Sequence, residues 1–138
     1  MDQDRQTYQD NILIVNKENV PSKDVRVCSG NDKELISTPY IQSDSPYILR
    51  QAESIVNNVT NDLEKIKALT QWVYKNLDKK PVLSIPDAVS TLRSKVGDCN
   101  EHAALFAALS RSLSIPTRVV AGVTYHEGTF YYHAWNCL

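Results

Sequence analysis

The sequence predicts an α+β domain, helices first and an antiparallel hairpin last. Two patterns carry this reading. Apolar residues recur at helical spacing from Ile48 to about Leu113, and an alternating apolar pattern then runs from Thr117 to the end around a glycine-containing turn. Segregated helices and strands in that order belong to the α+β class rather than to a parallel βαβ array.

Residues 1–44 are the least regular part and read as an extended arm or the remnant of an upstream region. Within them Asn11-Ile12-Leu13-Ile14-Val15-Asn16 and Val25-Arg26-Val27-Cys28 have the composition of short strands. Residues 45–138 read as the core domain. There is no internal repeat and no low-complexity tract.

Ser45-Pro46 is an N-cap followed by a first-turn proline. Ile48, Ala52, Ile55, Val56 and Val59 then form an apolar stripe. Asn61 and Glu64 have capping-box spacing and open a second helix, with Leu63, Ile66, Leu69, Thr70, Val73 and Leu77 as its buried face. Trp72 falls on that helix as a core residue. Pro81 ends the neighbourhood. Ser84-Ile85-Pro86 starts a short third helix bearing Ala88, Val89, Leu92 and Val96. Gly97 stops it.

Asp98 and Glu101 repeat the capping-box spacing and open a fourth helix from Cys99 to about Leu113. Ala103, Ala104, Ala107 and Ala108 make it small on several faces, so it is expected at the centre of the packing. Pro116 follows its end. In the hairpin, Val119, Ala121, Val123 and Tyr125 alternate with Arg118, Val120, Gly122 and Thr124. His126-Glu127-Gly128 turns the chain. On the returning strand Tyr131, His133, Trp135 and Cys137 share one face, and Phe130, Tyr132, Ala134 and Asn136 the other.

A chain of 138 residues suits one core, and 42% hydrophobic with 22% charged residues is an ordinary globular balance. A net charge of -1 gives no reason to expect a nucleic-acid or anionic-membrane partner. No apolar run approaches the roughly 20 residues that span a bilayer. The start, Met1-Asp2-Gln3-Asp4-Arg5, lacks a signal-peptide stretch, although a segment of a longer exported protein would read the same way, so the compartment stays open. Three cysteines, Cys28, Cys99 and Cys137, leave at least one thiol unpaired.

Cys99 is the thiol with chemistry around it. It occupies the first turn of the fourth helix, where unpaired backbone N–H groups and the positive end of the helix dipole favour a thiolate. The same N–H groups suit a developing oxyanion. The adjoining Asp98 works against this unless capping turns its carboxylate away from the sulfur. A lone cysteine opening an alanine-rich helix is otherwise an ordinary small buried residue.

The wider pattern resembles the transglutaminase-like superfamily. The likeness rests on Gly97-Asp98-Cys99-Asn100-Glu101-His102-Ala103, on Leu105-Phe106-Ala107-Ala108-Leu109 with Arg111, on Ile115-Pro116-Thr117-Arg118-Val119-Val120-Ala121-Gly122, and on Tyr132-His133-Ala134-Trp135. A looser likeness reaches back to about Pro39. The resemblance implies a papain-like, transglutaminase-core fold of bacterial type and a cysteine–histidine–aspartate triad, with Cys99 as nucleophile and His133 as general base and acid. It implies attack on a carboxamide or peptide carbonyl through a thioester, a protein or peptide substrate and no cofactor.

The departures bear on activity. The family's aspartate lies on the strand after the histidine, whereas only Ala134, Trp135, Asn136, Cys137 and Leu138 follow His133 here. Asn136 stands three residues along the strand and therefore on the opposite face. The ending reads as a truncation or frameshifted tail, so the core is expected to be incomplete at its C terminus with the later strands missing, and activity weak or absent. An open last strand also invites a homodimer through its edge.

Zinc is the other reading of Cys99, His102, His133 and Cys137. Four residues along a strand span about 13 Å, too far for one tetrahedral ion, so no metal is expected. His102 is expected to hydrogen-bond a neighbouring loop and His126 to be solvated. Trp135 and Tyr131 are expected beside His133 as packing or as a water shield. The alternative to a thiol enzyme is a non-catalytic binding or assembly domain that keeps this fold.

Overall fold

The computed structural model describes residues 6–16, 32–83, 85 and 87–138. The strand expected at Val25–Cys28 and the helix start at Ser84 and Pro86 lie outside the described residues.

Gln6–Gln9 (β1) and Ile12–Val15 (β2) form an antiparallel hairpin. Its two turn residues, Asp10 and Asn11, both have positive φ (51° and 62°), which matches the strand twist in two-residue hairpins. Both strands are solvent-exposed along their whole length.

Pro46–Val56 (α1) buries Ile48, Ala52 and Val56. The helix ends there because Asn58 turns left-handed (φ 65°), so Val59 packs on the core from outside the helix. Asp62–Asn76 (α2) is opened by Asn61, whose side chain accepts from the Glu64 N–H at 3.2 Å. Leu69, Val73 and Leu77 are buried as expected. Thr70 is not: it is exposed, and its hydroxyl donates to the Ile66 carbonyl at 2.8 Å. A hydroxyl that can satisfy itself within the helix needs no core partner.

Asp78–Lys79 (β3) pairs in parallel with Val96–Gly97 (β4), in the register Asp78↔Val96 and Lys79↔Gly97. Val96 therefore belongs to a strand, and the helix between is shorter than expected. Ala88–Ser94 (α3) starts on Asp87, whose carboxylate accepts from the Ser90 N–H at 2.9 Å, and stops at left-handed Lys95. The Gln42 amide reinforces this cap from a distant segment. It donates to Asp87 at 3.1 Å and accepts from the Val89 N–H at 3.2 Å.

Cys99–Ser112 (α4) is the hub and packs against α1, α2 and α3. Ala103, Ala104, Ala107 and Ala108 are all buried, with Leu105 and Leu109 at 0% exposure. Small side chains on several faces let neighbouring elements approach it closely, which explains its central place.

Arg118–His126 (β5) and Thr129–Cys137 (β6) form the second hairpin, closed by Glu127 (φ 48°) and Gly128 (φ 85°). Its pairs include Val119↔Asn136, Ala121↔Ala134 and Gly122↔His133. The half nearest the termini of the two strands packs on α4 through buried Ala134, while Val123, Tyr125 and Phe130 near the turn stay exposed. The chain thus has the α+β organisation read from the sequence.

Arg111 fixes the passage from α4 to β5. Its guanidinium donates to the Thr117 carbonyl at 2.9 and 2.7 Å and to the Ile36 carbonyl at 2.7 Å. The Thr117 N–H donates in turn to the Glu34 carbonyl at 3.1 Å.

Candidate functional site

The site begins with the turn between β4 and α4. Gly97 is required there by contact rather than by backbone angle. A Cβ on it would lie 2.3 Å from the Glu101 Cβ, far inside van der Waals contact. Glu101 occupies that space because it completes a capping box. Its carboxylate accepts from the Asp98 N–H at 2.9 Å, while the Asp98 carboxylate accepts from the Asn100 N–H at 2.9 Å and from the backbone N–H of Glu101. The Asp98 side chain is therefore spent on the helix end.

These contacts separate the two carboxyl groups electrically. Asp98 is held below its ordinary value, chiefly by the Asn100 amide that donates to it, against an opposing effect of burial. Glu101 is pushed up, chiefly by burial at 4% exposure, with neighbouring Asp98 adding to the shift. An ionised Asp98 on the helix end offsets part of the positive end of α4. It also occupies two of the N–H groups expected to serve an oxyanion. The Cys99 N–H is left without a partner among the described residues.

Cys99 itself is a half-buried free thiol at the first position of α4. It lines a cleft of about 730 Å³. His133, exposed on β6, lines the same cleft. The sulfur and the imidazole share the cleft with no hydrogen bond between them among the described residues. In proteins without bound substrate such bonds are often long and tighten on binding.

The strand carrying His133 is tied to the helix carrying Cys99 at two points. The Tyr132 hydroxyl donates to the Asn100 side-chain oxygen at 3.0 Å, and the Asn136 amide donates to the Ala103 carbonyl at 3.0 Å. Strand alternation does put Asn136 on the face opposite His133. It lines the cleft all the same, since consecutive residues His133 to Asn136 all do so. Lining by both faces places the cleft along the edge of β6 that is not paired with β5. Asn136 serves there as a tie between strand and helix.

Trp135 stacks beside His133, with ring centroids 6.3 Å apart and planes 24° from parallel. Its ring also covers Gly122, where an added Cβ would fall 2.7 Å from the indole. Gly122 is the strand partner of His133, so the glycine that ends one sequence block is the floor for the tryptophan of another. Trp72 packs on the core with Lys95 4.4 Å above its ring, and lies outside the cleft. His126 and Tyr131 are exposed. The His102 ring donates from Nδ1 to the Asp98 carbonyl at 2.6 Å, one turn back on its own helix rather than to a neighbouring loop. Its Nε2 is buried without a partner. Among the described residues no cluster of three or more His, Cys, Asp or Glu side chains is arranged to hold a metal ion.

The opposite wall comes from residues that sequence reading did not assign to the site. Thr70, Val73 and Tyr74 of α2 line it, followed by Lys79, Lys80 and Pro81. Only the two-residue pairing of β3 with β4 brings the lysines there, and a ladder that short has no periodicity to read.

A family profile described as the transglutaminase-like superfamily matches residues 50–137. The fold is similar to the crystal structure of a proposed cysteine protease from Cytophaga hutchinsonii, at 27% identity and a TM-score of 0.69 over 81% of this chain. A proposed protease from Parabacteroides distasonis is similar at 25% identity and a TM-score of 0.47, covering 65% of this chain and 18% of that one. No match is found among curated proteins. The chain spans 40% of the length of the Cytophaga protein. With the family match covering most of its length, the chain belongs to the transglutaminase-like superfamily.

Proposed function

We propose that this member of the transglutaminase-like superfamily carries a thiol-dependent acyl-transfer or amide-hydrolysis site, with Cys99 as nucleophile and His133 as general base and acid. The observation that carries the reading is the shared cleft, with a free thiol on the first turn of a helix and an imidazole on the facing strand.

In the first half-reaction the His133 ring takes the proton from Sγ, and the sulfur attacks the carbonyl carbon of a carboxamide or peptide. The Cys99 N–H, which has no partner among the described residues, then donates to the oxygen as it gains charge. The C–N bond then breaks. The departing amine takes the proton from the imidazolium and leaves a thioester on Cys99. In the second half-reaction His133 removes a proton from water, or from an amine acceptor, as it attacks the thioester. The C–S bond then breaks, and the imidazolium returns the proton to Sγ, restoring the thiol. The Asn100–Tyr132 and Ala103–Asn136 bonds keep the two elements in register through both steps.

The test is the rate of Cys99 alkylation by iodoacetamide against pH, read on the Cys99 peptide by mass spectrometry. The reading expects faster labelling in the native chain than in His133→Ala at and below neutral pH. Equal, slow labelling of both would instead support a non-catalytic binding domain that keeps the fold.

A further inference from the structure

We infer that the cleft selects an acyl donor bearing a carboxylate close to the amide it reacts with, an acidic peptide, and that Lys79 is the residue that selects it. This rests on the acyl-transfer reading of the same cleft and adds its substrate class.

Lys79 is the strand partner of Gly97, two residues before Cys99, and the Lys80 N–H donates to the Gly97 carbonyl at 3.2 Å. The lysine pair is therefore fixed by backbone bonding beside the turn that presents the thiol. Both side chains line the cleft with Cys99 and His133.

The charged or titratable side chains lining the cleft are Tyr74, Lys79, Lys80, Asp98, Cys99, His102 and His133. Asp98 is the one carboxylate in that set, and it is committed to the backbone amides of the α4 cap. Lys80 pairs with Asp78 at 3.1 Å, an exposed contact that competes weakly with a ligand. Lys79 has no carboxylate partner among the described residues. Its ammonium sits 4.0 Å from the centre of the Tyr74 ring. Cation–π contact of this kind steadies an ammonium without neutralising it. Permanent side-chain charge open to a ligand in the cleft is therefore positive. Val73, Ala103, Phe106 and Trp135 make much of the remaining lining apolar.

The experiment compares two alkylating agents that differ in charge, iodoacetate (anionic) and iodoacetamide (neutral), on the full chain at low salt and alkaline pH, where exposed thiols ionise. The readout is the ratio of their rates at the Cys99 peptide in the native chain, Lys79→Gln and Lys79→Glu. Because both rates come from the same protein, a change in thiolate fraction cancels in the ratio, and circular dichroism with urea unfolding of each variant shows that the folded chain is what labels. One charge at about 7 Å in water changes such a ratio by about threefold. The inference expects the ratio to fall about threefold in Lys79→Gln and further in Lys79→Glu, and both differences to shrink at high salt. The same ratio in all three proteins would overturn it. His133→Ala keeps the two proposals apart. If that variant labels with iodoacetamide like the native chain at and below neutral pH while the Lys79 variants still shift the ratio, the acyl-transfer reading fails and only the selection of an anionic ligand by Lys79 stands.

Discussion

The Tyr132 hydroxyl donates to the side-chain oxygen of Asn100 at 3.0 Å, joining the residue before His133 to the residue after Cys99. An exposed neutral hydrogen bond contributes on the order of 0.5–1.5 kcal/mol, so its worth to the fold is small. Its position gives it leverage on geometry, because misplacement of reacting groups by about 1 Å can cost ~10²-fold. Tyr132→Phe should lower the His133-dependent rate of Cys99 alkylation several-fold with little change in Tm. Asn100→Ala should do the same, and the double variant should lose no more than either alone. Additive losses would show that the two side chains act separately.

Gly97 and Gly122 give a graded pair. A Cβ at Gly97 meets the Glu101 Cβ at 2.3 Å, next to the backbone of a buried helix, whereas at Gly122 it meets the rim of the Trp135 ring at 2.7 Å. Overpacking typically costs about 1–3 kcal/mol, and the first neighbour has less room to yield. Gly97→Ala should lower stability in urea by more than Gly122→Ala. The smaller loss at Gly122 should come with a change in tryptophan fluorescence, because the ring must move away from His133's strand partner. A reversed order would contradict the contacts described.

Arg111 joins segments far apart in sequence. It holds the Thr117 carbonyl twice and the Ile36 carbonyl once. A lysine ammonium carries three donors on one point but not the planar fork that reaches both oxygens. Both Arg111→Lys and Arg111→Ala should destabilise, Arg111→Ala by about 2–3 kcal/mol. Hydrogen exchange should speed up around residues 34–41 more than in α2. Uniform acceleration along the chain would mean that the clamp is not local.

These contacts show what the sequence could and could not disclose. The start of α4 is readable because Asp98 and Glu101 cap it within four residues, and the β5–β6 hairpin is readable from alternation on either side of Gly128, although the turn is Glu127-Gly128 with His126 on β5. Thr70 was misplaced because apolar spacing alone does not register a hydroxyl that bonds back to its own helix. The role of Gly97 was hidden, since a helix-breaking glycine and a glycine under a folded-back Glu101 look alike in one dimension. Lys79, Lys80 and Gln42 were missed for a common reason. Each reaches its place through pairing with residues distant in the chain, and none stands in a motif.

The capping box of α4 should also leave a signature in acid. Asp98 has a folded-state value below its ordinary 3.8, so it contributes stability that is present above that value and lost as pH falls through its lower native one. Glu101 has the opposite sign. Its native value lies above the ordinary 4.5, so the folded chain binds its proton more tightly than the unfolded chain does, and stability declines as pH rises from 4.5 through the native value. Glu101→Gln removes that second dependence while leaving an oxygen to accept from the Asp98 N–H. Relative to the native chain, the stability of Glu101→Gln in urea should therefore improve as pH rises from about 4.5 through the raised native value, and then level off. Asp98→Asn should show the reverse, losing ground as the pH climbs out of the acid range. Parallel stability curves for the native chain and Glu101→Gln would mean that the Glu101 carboxyl titrates as it does in the unfolded chain, and burial under Gly97 would then have no hold on its proton.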